Sequence, residues 1–202
     1  MTTPAAPRRE LNRRATWDVV HGAAVRLVLD DGLAGTTADS IAESAAVSRR
    51  TFFNYFATKE DAVLGTRAPR LGDDDLAAFT AATAAVDSPD AAFGPVVRLM
   101  TAAVRSVFHD LPSFTLEHRL LLKAHPELLA RIDAHVREAE ALVHAVLAER
   151  PRAGAGPRDS DRALVLMAGA VMRFAFAPDA DGVIHDSPEN VDAAIARFRG
   201  LL

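Results

Sequence analysis

The sequence predicts an all-α fold with a small N-terminal domain and a larger C-terminal domain. Apolar residues recur at helical spacings of three and four along most of the 202 residues, and no segment has the alternation typical of a strand. Residues 37–61 contain three helix starts and two tight turns, as expected for small packed helices. Half of the residues are hydrophobic, so the chain can bury a sizeable core.

The N-terminal domain is expected to begin after a basic arm. Residues 1–15 carry clustered arginines and no apolar run, so we expect a flexible arm there. A three-helix domain over residues 16–67 and a helical domain over residues 68–202 follow. The first helix is predicted over residues 16–31, and Gly32 ends it. Its buried stripe consists of Val20, Ala24, Leu27 and Val28.

Residues 37–61 follow the pattern of a helix-turn-helix. Thr37, Ser48 and Thr58 can each cap a helix, because a side-chain hydroxyl accepts hydrogen bonds from the free N–H groups of the first turn. The small residues before Val47 let the chain reverse within a few positions between the first two helices. A fragment of an ordinary helical bundle is the alternative, although this turn is short for ordinary antiparallel helix packing.

The second helix of this motif, about residues 49–56, is the candidate recognition helix. Arg49 and Arg50 lie in its first turn, where such a helix presents side chains to base edges and phosphates. The aromatic rings expected in the core of the motif belong to Phe52, Phe53 and Phe56. The side chains left for the outer and flanking faces are Thr51, Asn54 and Tyr55.

A family resemblance rests on the same residues and extends upstream to about residue 16. The matching pattern reads Thr36-Thr37-x3-Ile41-Ala42-x2-Ala45-Ala46-Val47-Ser48-x2-Thr51-Phe52-Phe53-Asn54-Tyr55-Phe56-x2-Lys59-Glu60-Asp61. It closely resembles the TetR family of bacterial transcriptional regulators. The resemblance implies a homodimeric repressor that binds a palindromic operator in double-stranded DNA. The DNA-binding residues expected on this basis are Thr37, Ser48, Arg49, Arg50, Thr51, Asn54, Tyr55 and Lys59, the last two mainly on phosphates.

Three positions depart from the family pattern or from good helix chemistry. Ala46 stands where glycine is frequent; a left-handed backbone there would cost about 1 kcal/mol, so we expect a less left-handed turn. Phe53 stands where tyrosine is common, and it lacks a hydroxyl that could reach a phosphate. Gly22 lies inside the first helix, and we expect close helix packing at that point.

The C-terminal domain is predicted to consist of helices joined by short loops. A proline at position 126 breaks one helical pattern, and residues 150–160 form a loop. The helix after residue 163 is apolar on almost all sides and needs cover on more than one side. The resemblance implies a homodimer formed through residues 161–177 and 188–202; a central helix in a monomeric bundle is the alternative. The predicted helices cover about residues 73–86, 88–110, 113–149, 161–177 and 188–200.

The resemblance also implies a pocket for a small-molecule effector in the C-terminal domain. The candidate wall residues are mostly large and apolar, so we expect a hydrophobic or amphipathic ligand. Each of these side chains also fits an ordinary core. The candidates are Phe79, Phe93, Met100, Phe108, Phe114, His118, Leu121, Met167 and Arg173.

Charge and composition bound the remaining classes of function. Residues 1–67 carry nine basic and eight acidic side chains, net +1, whereas residues 68–202 carry 14 and 19, net −5. The chain has no cysteine and no apolar run long enough to cross a bilayer, so we expect a cytoplasmic protein without membrane contact. No catalytic or metal-binding motif occurs, so we expect no enzyme activity, cofactor or metal. A helical protein-interaction module without DNA binding and an all-α enzyme are the alternatives.

Overall fold

The computed structural model describes residues 8–84, 88–108, 116–150, 158–175 and 188–200. All ten helices and strands assigned in these ranges are α-helices, which confirms the predicted fold class. They are α1 (Arg8–Gly35), α2 (Ala38–Ser44), α3 (Arg49–Tyr55), α4 (Lys59–Leu64), α5 (Asp73–Thr83), α6 (Pro89–Arg105), α7 (Leu116–Ala124), α8 (Glu127–Glu149), α9 (Arg158–Ala175) and α10 (Pro188–Arg199).

The chain divides into two compact units. The first unit comprises Met1–Arg67 together with Leu120–Arg131, and the second comprises Ala68–Arg119 and Ile132–Leu202. The sequence pattern places the segment Leu120–Arg131 with the C-terminal domain. In the structure this segment packs with the helix-turn-helix unit, and α8 starts in the first unit and continues into the second.

Helix α1 begins at Arg8, earlier than the sequence predicts. Residues 8–15, assigned above to an arm, form the first two turns of this helix. Those turns lack the apolar spacing that reveals a buried helix, and Leu11 is 56% exposed. At the other end the helix does not stop at Gly32, contrary to the prediction; the helical backbone is only interrupted there, where φ is 73°. The helix resumes after this kink and ends at Gly35.

The core of the first unit forms where α1 packs against α2 and α4, and where α2 packs against α3. The rings of Trp17 and Phe56 lie 4.1 Å apart between centroids, which joins α1 to the end of α3. Trp17 is missing from the predicted stripe, whereas Leu27 is only half-buried. Burial of each large side chain stabilises the unit by about 1.5–3 kcal/mol. The buried set includes Trp17, Val20, Ala24, Val28, Ile41, Phe52, Phe56, Ala62 and Val63.

The second unit is built around α6, which packs against α5, α9 and α10, while α9 also packs against α10. Helix α8 contributes three buried residues at helical spacing, Ala139, Val143 and Leu147. Helices α7 and α8 meet at the predicted break, since one ends at Ala124 and the other begins at Glu127. Proline at position 126 cannot donate the backbone hydrogen bond that a continuous helix needs there.

Several helix ends differ from the prediction by a few residues. Helix α6 ends at Arg105, and α9 begins at Arg158, inside the stretch predicted as a loop. Most of that loop, residues 151–157, lies outside the described residues. Within the described ranges, none of the helices has the length and hydropathy needed to cross a bilayer.

Candidate nucleic-acid interface

Side-chain caps fix where the helices of the motif begin. Thr37 Oγ1 accepts from the Ser40 N–H at 3.0 Å, and Ser40 Oγ accepts from the Thr37 N–H at 3.0 Å, which forms a capping box. Ser48 Oγ accepts from the Thr51 N–H at 3.0 Å and starts α3. Thr58 caps α4 in the same way. The three predicted N-caps are therefore confirmed.

The turn between α2 and α3 is left-handed at Ala46, where φ is 52°. The Val47 N–H donates to the Ala42 carbonyl at 2.9 Å, and the Ala46 N–H donates to the Glu43 carbonyl at 3.0 Å. These two bonds are those of a Schellman motif, which requires a left-handed residue after the helix. The expectation of a less left-handed turn is therefore wrong, because this closing pattern determines the backbone at position 46.

The phenylalanines of α3 do not all face the core. Phe52 and Phe56 are 0% and 1% exposed, and their ring centroids are 6.0 Å apart. Phe53 is 46% exposed, so its predicted place in the core is wrong. Successive helical residues point about 100° apart, so the residues at i and i+4 share the buried face while the one at i+1 leaves it.

The outer surface of α3 carries groups that can donate hydrogen bonds to nucleic acid. The side chains of Arg49, Arg50 and Asn54 are exposed, and those of Thr51 and Tyr55 are partly buried. Exposed guanidinium and amide groups at the start of a short helix match the donors that read base edges in a major groove. The caps Thr37 and Ser48 are also exposed, the first before α2 and the second directly before α3.

Arg49 is held by two neighbours that the sequence analysis missed. Its Nη1 donates to the carboxylate of Asp39, in the first turn of α2. Its guanidinium carbon also lies 5.3 Å from the centroid of the Phe53 ring. Neither contact buries the arginine, since the side chains of Arg49 and Asp39 remain 63% and 64% exposed.

Lys59 makes contacts inside the unit. Its Nζ donates to the carbonyl oxygens of Leu33 at 2.7 Å and Thr36 at 2.9 Å. These carbonyls belong to the last turn of α1 and to the link that follows it, where a positive charge also complements the helix dipole. An ammonium group has three donors, so two of them stabilise the corner between α1 and α2.

A buried ion pair links α4 to the start of α8 within the first unit. The side chain of Asp61 is 1% exposed and accepts from Nε of Arg131 at 2.8 Å and from its Nη2 at 3.0 Å. The hydroxyl of Thr66 donates to the same carboxylate at 3.1 Å. Two parallel N–H bonds to one carboxylate give this contact a defined geometry. The pair is one of the contacts that join Leu120–Arg131 to the helix-turn-helix unit.

The predicted pocket residues occupy different environments. Phe79, Phe93 and Met100 lie in the core of the second unit, and Met167 packs against that core. Leu121 is buried but belongs to the first unit. Phe108 is half-buried, while Phe114 and the side chain of His118 lie outside the described residues. Arg173 is exposed and pairs with Glu140 at 3.5 Å.

Two glycines inside helices, Gly22 and Gly169, differ in what surrounds them. A methyl group at Gly22 would meet only Arg26 Nη1 at 3.7 Å, so the predicted helix contact there is wrong. A methyl group at Gly169 would lie 2.3 Å from Oε1 of Glu140. The small residue on α9 therefore makes room for a side chain of α8 in the same chain. Among the described residues no group of three or more potential metal ligands is gathered.

The geometry defines the first unit as a helix-turn-helix, with a capped recognition helix whose polar surface faces solvent. Residues 22–64 match the family described as bacterial regulatory proteins, tetR family. Residues 22–64 therefore form a helix-turn-helix domain of the kind found in that family of DNA-binding regulators.

Comparison with solved structures gives a similar chain described as the crystal structure of multidrug binding protein EbrR complexed with imidazole. It is 25% identical in sequence, and the match covers 100% of this chain and 97% of that chain with a TM-score of 0.37. The superposition is loose, so the family assignment depends on the matched N-terminal residues. Comparison with curated proteins gives no match.

Proposed function

We propose that the protein is a transcriptional repressor that binds a palindromic operator as a homodimer and is released by a small hydrophobic or amphipathic ligand. The observation that carries the DNA-binding part is the exposed first turn of α3. There Arg49 and Arg50 project from a helix whose start is capped by Ser48 and whose buried side is anchored by Phe52 and Phe56. A rigidly held helix can present its donors to a groove with little ordering cost.

The proposed DNA contacts are of two kinds, those to base edges and those to phosphates. Arg49, Arg50 and Asn54 are assigned to base edges and nearby phosphates, because guanidinium and amide groups make the directional bonds that distinguish bases. Tyr55 and the third donor of Lys59 are assigned to phosphates. The net charge of +1 over residues 1–67 is small, so local clusters of arginine must supply most of the attraction to DNA.

The homodimer is proposed to form through α9 and α10. Helix α9 packs against α6 and α10 but leaves two large apolar side chains about half exposed, and one of them, Phe174, also contacts Phe198 of α10 at 5.9 Å between ring centroids. Leu166 and Phe174 are 55% and 48% exposed, eight residues apart on one helical stripe with Ala170 between them. A two-fold axis beside this stripe would cover it and would present two recognition helices to two half-sites.

The effector site is proposed to lie in the second unit. Its core contains large apolar side chains from α5, α6 and α9, including Phe79, Phe93 and Met100, with Met167 at its margin. These residues suit a hydrophobic or amphipathic ligand better than a charged one. A repressor of this kind would act in the cytoplasm, where the chromosome of a bacterium lies.

A footprint on the DNA around the protein's own coding region tests the DNA-binding part. We expect a protected palindrome, with affinity that falls steeply as the salt concentration rises, because phosphate contacts release counterions. A helical protein-interaction module would protect no DNA and would show no such dependence. Absence of protection at low salt over that region, together with no enrichment from random duplexes, would reject this function.

Light scattering tests the dimer. At micromolar concentration we expect twice the chain mass of 21.6 kDa. Leu166→Glu places a charge in the exposed apolar stripe and should give a monomer with an unchanged fold. A wild-type protein that scatters as a monomer would contradict the proposed assembly.

Thermal shift against hydrophobic acids and drugs tests the effector site. Ligands that bind the folded protein raise its melting temperature, and a true effector must also release the operator. Hits that stabilise the protein without releasing DNA would contradict the regulatory part of the proposal.

A further inference from the structure

The side chain of Arg49 is held between two helices. Asp39 lies in α2, and Phe53 lies one turn further along α3. The contact from Asp39 therefore crosses the left-handed turn that separates the two helices. An arginine on a helix surface ordinarily samples many rotamers, and fixing them on binding costs affinity. Here a carboxylate and an aromatic ring restrict the guanidinium before any partner arrives.

The N–H groups of Arg49 that bind the Asp39 carboxylate determine which of its N–H groups remain for DNA. Both oxygens of Asp39 contact Nη1 of Arg49. A guanidinium group carries five N–H donors in a planar fork. The edge formed by Nη2 and Nε is thus available for a base. Arginine recognises guanine by a pair of parallel bonds to O6 and N7, which needs one such edge in a defined orientation.

We infer that Asp39 determines base specificity by positioning Arg49, without touching DNA itself. This inference rests on the DNA-binding function proposed above. The carboxylate directs one edge of the arginine towards a single base pair of each half-site. It also offsets the charge that would otherwise draw the guanidinium onto the nearest phosphate, where it would bind every sequence alike.

The pair is suited to this role because it contributes little to the fold. Both side chains are more than half exposed, and exposed ion pairs stabilise proteins only weakly. Replacement of Asp39 should therefore leave a folded domain whose DNA preference can be measured.

The test compares Asp39→Asn with the wild type on a library in which each operator base pair is varied in turn. We expect discrimination at one base pair of each half-site to fall about tenfold, because a good bidentate contact is lost or loosened. Preferences at the other positions and the melting temperature should not change. Affinity for unrelated DNA should stay equal or rise.

Glu43→Gln is the matched control. Glu43 lies one turn further along the same helix, is exposed, and loses the same charge on substitution. It should keep the wild-type preference at every base pair. If Asp39→Asn also keeps that preference, or if Glu43→Gln changes the same base pair equally, the inference is wrong.

A double-mutant cycle with Arg49→Ala separates positioning from direct contact. Once the arginine is absent, adding Asp39→Asn should cause no further change at the affected base pair. A further change would mean that Asp39 acts on DNA independently of Arg49, which overturns the inference. If the wild type enriches no sequence at all, the proposed function fails; if it selects an operator and Asp39→Asn selects it with equal preference, only this inference fails.

Discussion

The two compact units of the chain differ in where their polar chemistry lies. In the first unit the polar groups that can bind a partner face solvent on α3, and the core beneath them is small and aromatic. In the second unit the described core is almost wholly aliphatic and aromatic, and its exposed feature is the apolar stripe on α9. The first unit can therefore be altered on its surface without loss of the fold. The second can be probed mainly through its ligand and its assembly.

Loss of the buried ion pair is expected to have the largest effect on stability. Arg131→Ala would leave the buried carboxylate of Asp61 without its bidentate partner. Removal of one member of such a pair typically costs about 3–5 kcal/mol, so the urea midpoint should fall strongly. Amide hydrogen exchange should place the lost protection in Met1–Arg67, although the substituted residue lies on α8.

The second unit offers a matched control for that substitution. Arg173 also pairs with a carboxylate, that of Glu140, but the side chain of Arg173 is 54% exposed and that of Glu140 is 17% exposed. Arg173→Ala should change the free energy of unfolding by less than about 1 kcal/mol. Equal effects of the two substitutions would contradict the contrast between a buried carboxylate in the first unit and a pair whose arginine is more than half exposed in the second.

Adjacent phenylalanines on α3 test the division between the core and the surface of the first unit. Phe52→Ala removes a fully buried ring and should cost about 3–5 kcal/mol of unfolding free energy. Phe53→Ala removes an exposed ring and should cost less than about 1 kcal/mol, while loosening Arg49. Chemical denaturation and operator binding measure both effects. Similar losses of stability for the two variants would place Phe53 back in the core.

Substitutions of Lys59 and Tyr55 test the proposed phosphate contacts of the DNA-binding surface. Lys59→Ala should weaken binding to all sequences alike and lower the salt slope by about 1, because one phosphate contact is lost. It should also cost about 1.5–3 kcal/mol of stability, because its charged hydrogen bonds to two carbonyls are removed.

Tyr55→Phe removes a neutral hydroxyl and should weaken binding to all sequences without changing the salt slope or the melting temperature. Titration of operator and unrelated DNA over a range of salt concentrations separates the two variants. Unchanged affinity of the double variant Tyr55→Phe, Lys59→Ala would contradict the assignment of both residues to phosphates.

The smallest expected effect concerns the left-handed turn. Ala46→Gly should stabilise the protein by about 1 kcal/mol, because glycine adopts positive φ without a steric cost. Ala45→Gly is the neighbouring control: Ala45 has φ −84°, in the right-handed region, so glycine should destabilise there. Thermal melts distinguish the two variants. A lower melting temperature for Ala46→Gly would show that the positive φ of Ala46 does not destabilise the wild type.

Sequence patterns predicted the parts of the first unit that local rules determine. The caps at Thr37, Ser48 and Thr58 follow from bonds between residues three apart, so a hydroxyl before an amphipathic stretch is enough to find them. The break between α7 and α8 follows from a single proline. The family resemblance had the same local source, since its motif lies within the matched residues 22–64.

Contacts between distant residues could not be predicted in this way. The carboxylate of Asp39 meets an arginine ten positions away across a turn, and Asp61 meets Arg131 seventy positions away. The exposure of Phe53 could not be predicted without knowing which face of α3 packs against the core. The start of α1 escaped prediction because its first two turns carry mostly polar residues, so no apolar pattern marks them.

Selection from a random duplex library asks whether Arg49 and Arg50 read a specific DNA sequence. The wild type and the double variant Arg49→Ala, Arg50→Ala would be compared under identical salt conditions after their melting temperatures have been shown to agree. We expect that the wild type enriches a two-fold symmetric sequence and that the variant enriches none. Enrichment of the same sequence by both proteins, or of no sequence by the wild type, would contradict it.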